Sequence, residues 1–331
     1  MIGRYQTARA FRAALEDRLK QLARAQGIDL MRLRRQVAFD RLLARLFAEP
    51  DPPWLLKGGY AFELRLGAQA ARATKDIDLS IPAPSRLGAE ASQSPQAQNA
   101  LNARIRDRLQ DAAERDLRDG FVFRIGAPMA DLDAAPYGGA RYPIEARLDN
   151  RTFATFHLDV GVGDAIATPP EWLTGQDLLG FAGIPPANAA ALSREQQFAE
   201  KIHAYTLPRG ERTNMRVKDL VDLVLLLRLG LPDTDAVRRA LHATFTRRAT
   251  HEIPLILPPP PDAWLPTYDA LAAECGLSDL PMGTALQQLA DNWAALSPSP
   301  SPSPSPSPSP SLSPSPPPSP PPSPPPPPSP S

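Results

Sequence analysis

Apolar residues recur at helical spacing at the start of the chain. They fall every three or four residues over 8–26 and again over 29–47, a pattern typical of helices that bury one face. Short apolar runs at 54–56 and 74–81 predict strands, with a helix that begins near Tyr60 between them. The opening of the chain therefore predicts a helical pair followed by the first strands of a sheet.

Strand patterns become more frequent in the middle of the chain. Residues 82–100 are rich in Ala, Ser, Pro and Gln and predict a loop, and 101–119 predicts a helix. The segments 121–125 and 142–148 predict strands, and the alternating run 152–160 follows closely enough to form a hairpin with the strand before it. Together these patterns predict an α+β fold.

The second half of the chain has a mainly helical pattern. After Pro169 and Pro170 the apolar spacing predicts helix to about residue 250, and prolines at 258–261 mark a linker before a short helical segment that ends near Leu296. We therefore expect three regions, which are N-terminal helices with an α+β head at 1–168, a mainly helical portion at 169–296 and a tail at 297–331.

The tail alternates Ser and Pro almost without interruption. Proline fixes φ and removes a backbone donor, so such a segment cannot bury a core. We expect residues 297–331 to form a disordered, extended chain rich in polyproline II structure, and we assign them no catalytic role.

Charge balance excludes a strongly basic protein but leaves two basic segments. The chain has 36 Lys and Arg against 36 Asp and Glu, with 42% hydrophobic and 22% charged residues, which is typical of a soluble globular protein. Basic residues outnumber acidic ones by eleven to five over 1–49 and by ten to five over 201–251. These segments are either solvated helix faces or a surface for a polyanion such as RNA.

Cysteine usage and apolar runs indicate the compartment. Cys275 is the single cysteine, so neither an internal disulfide nor a zinc cluster is predicted. The N-terminal residues lack the apolar core of a signal peptide, and no apolar run approaches the roughly 20 residues that span a bilayer. We expect a cytoplasmic protein without a membrane partner.

The segment Asp76-Ile77-Asp78 has the strongest chemical signal. Side chains alternate faces along a strand, so both aspartates should share a face while Ile77 and Leu79 point into the core. Like charges this close repel unless a cation lies between them, and Mg²⁺ prefers carboxylate oxygens. The alternative is a pair of acids on a solvent-facing strand.

The segment Lys57-Gly58-Gly59 precedes the aspartates at a predicted strand-to-helix turn. Glycines there let backbone amides approach a phosphate, and the start of a helix adds partial positive charge. Lys57 would add a full charge. The alternative is an ordinary turn.

A third carboxylate, Asp159, lies on the polar face of the 152–160 strand with His157. If this strand neighbours the first, three aspartates would share a face and could hold two magnesium ions about 3.5–4 Å apart. For His157, as for His203, we expect a structural role.

Four motifs in order resemble the AbiEii-type nucleotidyltransferase toxins. The resemblance spans roughly residues 35–230. The motifs are Trp54-Leu55-Leu56-Lys57-Gly58-Gly59-Tyr60-Ala61-Phe62 with Arg72-Ala73-Thr74-Lys75-Asp76-Ile77-Asp78-Leu79; His157-Leu158-Asp159-Val160-Gly161-Val162-Gly163-Asp164; Glu200-Lys201-Ile202-His203-Ala204; and Arg216-Val217-Lys218-Asp219-Leu220-Val221-Asp222-Leu223.

The resemblance implies a nucleotidyltransferase-like head, a small mixed sheet flanked by helices, followed by a helical C-terminal portion. Asp76, Asp78 and Asp159 would hold metal and act in catalysis, together with Lys201, whose ammonium would meet the triphosphate. The other nucleotide-binding candidates are Lys57, Gly58, Gly59, Arg72, Thr74, Asp219 and Asp222.

Several of these roles have alternatives. Arg72 either contacts the γ-phosphate or pairs with a nearby acid, and Lys201 is either a phosphate ligand or a surface lysine. Asp219 and Asp222 either pair with Arg212 or Arg216, or one of them orients Lys201 or the nucleotide.

The implied reaction moves a nucleoside monophosphate from an NTP to an acceptor hydroxyl with Mg²⁺. The resemblance implies an RNA acceptor, such as a tRNA 3′ end, and a cognate antitoxin protein as partner. Two alternatives stay open: transfer to a small molecule or a protein hydroxyl, and a non-catalytic module that binds nucleotide or a partner protein.

Overall fold

The computed structural model describes residues 2–296 apart from 91, 93, 133–134, 211–213 and 232. The Ser-Pro tail lies outside the described residues, so its disorder stays a prediction. None of the described helices is both long and apolar enough to cross a membrane.

The helical segments begin and end at capping residues. Thr7 accepts a hydrogen bond from the Ala10 amide at the start of the first helix, and Gly27 ends it in the left-handed conformation. The described α-helices are α1 (Ala8–Gln26), α2 (Leu30–Leu46), α3 (Gly58–Leu66), α4 (Pro95–Ala113), α5 (Arg194–Thr206), α6 (Val217–Leu229), α7 (Thr234–Arg248), α8 (Leu265–Glu274) and α9 (Met282–Leu296).

The described strands form one mixed sheet. They are β1 (Leu55–Lys57), β2 (Asp76–Ile81), β3 (Phe121–Ile125), β4 (Ala130–Asp131), β5 (Gly139–Leu148), β6 (Arg151–Val162), β7 (Glu171–Thr174) and β8 (Asn188–Ala191). Their order is β3-β5-β6-β2-β1-β8-β7, with β4 also paired to β5. The β2–β6 and β1–β8 pairs are parallel and the others antiparallel. The predicted mixed sheet flanked by helices is confirmed.

Two secondary-structure expectations were wrong. Residues 171–191 contain β7 and β8 instead of helix, because the alanine-rich β8 pairs with β1 and with β7, and sheet pairing overrides its helical propensity. The segment 82–100 is not all loop, since Ser94 caps α4 and Pro95 occupies its first turn.

The buried residues form two clusters, and α3 contributes to both. The first joins the sheet to α1, α2 and α4 and includes Tyr60 and Ala61. The second is built mainly from α5 to α9 and includes Phe62. The start of α3 is therefore anchored between the sheet and the C-terminal helices. The expected domain boundary at residue 168 stays a prediction, and two strands of the sheet follow it in the chain.

Candidate active site

Three aspartates occupy one face of the paired strands β2 and β6. These strands run parallel with Asp78 beside Asp159 and Asp76 beside His157. Ile77 lies on the opposite face and is fully buried, as strand alternation predicts. The carboxylates that the sequence pattern singled out are thus neighbours in the sheet.

Arg141, which the sequence reasoning did not single out, neutralises part of this face. It lies opposite Asp159 on β5. Its Nε and Nη2 donate to the two oxygens of Asp159 at 2.8 and 2.7 Å, and its Nη2 lies 3.6 Å from Oδ2 of Asp76. His157 Nδ1 lies 3.2 Å from Oδ1 of Asp76. A bidentate guanidinium therefore already holds the third carboxylate.

Asp78 faces the turn between β1 and α3. Gly58 has φ +67, and a Cβ at this position would lie 1.9 Å from Oδ2 of Asp78. Burial and the neighbouring Asp159 raise the pKa of Asp78 to about 6, against the opposing effect of Lys57 and Lys201. The Gly58 backbone thus approaches the carboxylate more closely than any side-chain-bearing residue would allow.

Side chains from two other elements support the Gly58-Gly59 turn. Gln197 on α5 donates to the Gly58 carbonyl at 3.0 Å and accepts a hydrogen bond from Arg65. Thr74 is buried, donates to the Asp76 carbonyl at 3.1 Å, and packs against Gly59. Thr74 therefore contacts both the turn and the strand β2 that carries Asp76 and Asp78.

Lys57 lies in a buried ion cluster beside the carboxylate face. Its Nζ is 2.6 Å from Oδ2 of Asp164 and 3.8 Å from Oε2 of Glu200. Arg248 donates to the other oxygen of Asp164 at 2.9 Å. Although burial alone would lower it, these two acids raise the pKa of Lys57 well above its usual range. Asp164, Glu200 and Arg248 were not among the predicted site residues, although two of them lie in the motifs that carry the resemblance.

Lys201 is held by both predicted aspartates of α6. Its Nζ lies 2.8 Å from Oδ1 of Asp219 and 2.8 Å from Oδ2 of Asp222. Asp222 is fully buried and accepts two hydrogen bonds from Arg72, each 2.9 Å long. Arg72 therefore pairs with an acid, which is one of its two predicted alternatives, and its contact with the γ-phosphate stays a prediction. Arg216 lies 3.4 Å from Asp219, while Arg212 is outside the described residues.

A cleft of about 160 Å³ brings these groups together. Lys57 and Asp78 line it from the sheet, Gly58 lines it from the start of α3, and Lys201 and Asp219 line it from α5 and α6. Asp76, Asp159 and Arg141 continue the polar face along the neighbouring strands. A larger cavity, of about 630 Å³, lies near Arg41 and Pro185 and contains none of the predicted site residues.

Comparison with known proteins identifies a structure of similar fold and a family. MenT4, a nucleotidyltransferase toxin from Mycobacterium tuberculosis H37Rv, has a similar fold, with a TM-score of 0.50 at 17% sequence identity over 84% of this chain and 93% of MenT4. No curated protein sequence matches the chain. The family described as nucleotidyl transferase AbiEii toxin, type IV TA system, matches residues 41–311. The chain therefore belongs to the AbiEii family of nucleotidyltransferase toxins.

Proposed function

We propose that this nucleotidyltransferase binds an NTP over the Gly58-Gly59 turn and transfers its nucleoside monophosphate to a hydroxyl of an RNA acceptor. The observation that carries the proposal is the position of Asp78. It lies beside Asp159 on one strand face and against the Gly58 backbone at the start of α3. Backbone amides at a helix start attract phosphate, and a carboxylate pair beside them attracts a divalent cation.

Asp76 and Asp78 fit a magnesium ion by their chemistry. Both offer carboxylate oxygens from one strand face, and the raised pKa of Asp78 reflects burial and negative charge that an added cation would offset. When bound, the ion supplies positive charge to the phosphates of the nucleotide. No group of three or more His, Cys, Asp or Glu side chains among the described residues forms a ready metal site.

Asp159 fits a second ion less readily, because Arg141 holds both of its oxygens. The predicted two-metal arrangement requires that this guanidinium give way. Asp159 remains our candidate ligand for a second ion and our candidate base for the acceptor hydroxyl.

The proposed transfer is an in-line displacement at the α-phosphorus. The acceptor oxygen forms a bond to phosphorus, the bond to the bridging oxygen of the β-phosphate breaks, and pyrophosphate leaves. The hydroxyl proton passes to a carboxylate, for which Asp159 is the candidate. Asp219 and Asp222 hold the ammonium of Lys201 in place. From this position Lys201 offsets the negative charge of the triphosphate.

The ammonium of Lys57 is less available to a nucleotide than the sequence pattern suggested. Its ammonium already contacts Asp164 and Glu200, so a phosphate would have to share it. We propose that Lys57 contributes charge to the cleft as part of this cluster, and that Arg72 acts through Asp222 and Lys201.

An RNA acceptor, such as the 3′ end of a tRNA, is proposed because basic residues accumulate beside the cleft. Arg216 and Arg248 both line it, and both lie in the basic segment at 201–251. Phosphate contacts of this kind bind nucleic acid without reading its sequence. Membership in a type IV toxin–antitoxin family implies an antitoxin partner and a nucleotide substrate.

Transfer of α-labelled nucleotide tests the proposal. Purified protein would be incubated with Mg²⁺, total tRNA and each NTP in turn, beside Asp76→Ala, Asp78→Asn and the surface control Asp107→Ala. We expect label in tRNA with the parent and the control, and a loss of about 1,000-fold in both site variants. Label in the protein itself or in a small molecule would show that the acceptor is not RNA. Nucleotide binding without transfer would favour a non-catalytic binding module.

A further inference from the structure

Glu200 lines the cleft, yet the proposed reaction does not use it. It lies on α5 directly before Lys201, in one of the four motifs. Its side chain is only 14% exposed. A carboxyl group in such a position is stable either as an anion with donors around it or as the neutral, protonated acid. The contacts of Glu200 decide between these two forms.

The neighbouring acid Asp164, not Glu200, accepts the hydrogen bonds of the surrounding cations. Lys57 donates to one oxygen of Asp164 at 2.6 Å, and Arg248 donates to the other at 2.9 Å. The hydroxyl of Ser80 adds a third hydrogen bond at 3.2 Å. Although burial alone would raise it, the two cations lower the pKa of Asp164 well below its usual range. Asp164 is therefore the ionised acid of this cluster.

Glu200 has no comparable donor. Its Oε2 lies 3.8 Å from Nζ of Lys57, which is beyond hydrogen-bond distance. Its Oε1 is buried and has no hydrogen-bond partner among the residues that the structure describes. Because a buried carboxylate without donors is strongly disfavoured, this geometry favours the protonated acid. Burial, with a further contribution from Asp164, raises the pKa of Glu200 above its ordinary value, against the opposing charges of Lys57, Arg248 and Lys201.

The protonation of Glu200 sets the charge that the cleft presents to a nucleotide. The charged groups that face it are Lys57 on β1, Asp164 just after β6, Arg248 at the end of α7 and Lys201 on α5. Lys201 is already held by the two aspartates of α6. The remaining cluster has two cations and two acids, so it carries no net charge with Glu200 ionised and one positive charge with Glu200 protonated.

We infer that Glu200 takes up a proton from solvent when the triphosphate of an NTP enters the cleft. The inference rests on the proposed function, since it requires the triphosphate to bind in this cleft. Negative charge beside a carboxyl group favours its protonated form, so the binding of the triphosphate and of the proton favour each other. The protonated carboxyl group also gains an O–H donor for a phosphate oxygen.

Glu200→Gln is the most informative variant, because Gln resembles the protonated acid and does not titrate. The matched control is Glu195→Gln on the same helix, since Glu195 is 5% exposed and is not among the residues that line the cleft. Calorimetry would measure binding of a non-hydrolysable NTP analogue with Mg²⁺ from about pH 5 to about pH 9, in buffers of different ionisation enthalpy that count the protons taken up. Asp78 and the phosphates titrate in all three proteins, so a difference between the parent and Glu200→Gln belongs to Glu200.

We expect the parent to take up, at most, about half a proton more than Glu200→Gln as the analogue binds. Glu200→Gln should bind the analogue as tightly as the parent at the acid end of the range and about tenfold more tightly at the alkaline end. The Glu195→Gln protein should follow the parent at every pH. Equal proton uptake by the parent and Glu200→Gln would overturn the inference. A gain in affinity that is the same at every pH would also overturn it, because the carboxylate would then only repel the phosphates.

The proposed function fails in a distinguishable way. If the parent binds no NTP analogue at any pH, the cleft is not a nucleotide site, and the inference falls with the proposed function. If the analogue binds and Glu200→Gln behaves as the parent, only the inference is wrong. Thermal unfolding compares the folded state of all variants, and Glu200→Met, which is also neutral and of similar volume, replaces Glu200→Gln if the latter does not fold.

Discussion

Backbone and carboxylate approach each other more closely at Gly58 than a side chain would permit. The residue has φ +67 and faces Asp78, so it meets two demands at once, a left-handed conformation and an absent Cβ. A Cβ at the neighbouring Gly59 would be less crowded, since its nearest atom would be Oγ1 of Thr74 at 3.0 Å. The first glycine of the pair is therefore the one on which the site geometry depends.

We expect Gly58→Ala to lower transfer activity by about 100-fold, because the new Cβ displaces Asp78 and small displacements in a site cost rate steeply. Gly27→Ala is the matched control. Gly27 has nearly the same φ, +66, but no atom within 4 Å of its Cβ position. That variant should lose about 1 kcal/mol of stability from backbone strain and keep its activity. Equal activity loss in both variants would contradict the role assigned to the close approach.

Asp78 should make stability depend on pH in an unusual direction. Its pKa is raised to about 6 in the fold, by burial and by Asp159, so the folded chain binds its proton more tightly than the unfolded chain. The stability contributed by this proton is present below pH 4 and is lost as pH rises to about 6. Asn does not titrate, so Asp78→Asn should remove this pH-dependent loss of stability.

The free energy of unfolding, measured in urea at several pH values without metal, checks this expectation. Between pH 4 and pH 7, the free energy of unfolding of the Asn variant should rise relative to that of the parent by about 2 kcal/mol. A gain that does not grow with pH would show that the carboxyl has an ordinary pKa. The predicted gain in stability accompanies a loss of activity, as expected for a site under functional selection.

At the scale of elements, the β5–β6 hairpin determines which residue faces Asp159. Asp149 and Asn150 form its two-residue turn, both with positive φ. The register shifts by a bulge near Ala146 and Arg147. Without the bulge Ala140 would lie opposite Asp159, whereas with it Arg141 does. One extra residue in β6 thus brings a guanidinium onto the carboxylate face.

Because Arg141 holds both oxygens of Asp159, it should compete with a second divalent ion. We expect Arg141→Met to strengthen binding of a second Mn²⁺ by about tenfold, the equivalent of one modest charge interaction. Titration followed by electron paramagnetic resonance counts the ions. Arg147→Met, on the same strand and paired with Glu145 at 3.0 Å, serves as control. Identical Mn²⁺ isotherms for all three proteins would contradict the competition.

At the scale of the whole molecule, a second ion cluster, distinct from the one around Lys57, joins the sheet region to the C-terminal helices. Arg72 precedes β2, Lys201 lies on α5, and Asp219 and Asp222 lie on α6. Asp222 is fully buried between two cations. Lys201 and Arg72 lower its pKa despite burial, which alone would raise it. The cluster holds Lys201, our candidate for the triphosphate contact, and connects the sheet region to the helices that line the cleft.

Asp222→Asn should therefore destabilise the molecule as well as reduce transfer. Removing this charge leaves Arg72 and Lys201 with less compensation in a buried site, which costs about 3 kcal/mol. Urea unfolding measures the loss. The control Asp235→Asn breaks an exposed ion pair with Arg238 and should leave the unfolding free energy nearly unchanged. Equal stability of Asp222→Asn and the parent would show that the cluster is not buried in solution.

The sequence by itself determined most elements of the first half of the chain and the strand face that two aspartates share. Alternation along β2 was enough to place Asp76 and Asp78 on one face, because the side-chain period of a strand is a local property. The left-handed Gly27 and the helices at the start of the chain follow from equally local preferences. The motif order was enough to predict the family.

Only the tertiary structure decided which charges meet. The pairing of β2 with β6, the bulge that aligns Arg141, and the meeting of Lys201 with Asp222 all join residues far apart in the chain. Such contacts depend on strand register and helix packing, which no local pattern encodes. The same reason explains β8, whose alanine-rich stretch favours a helix alone but becomes a strand when it pairs with β1 and β7.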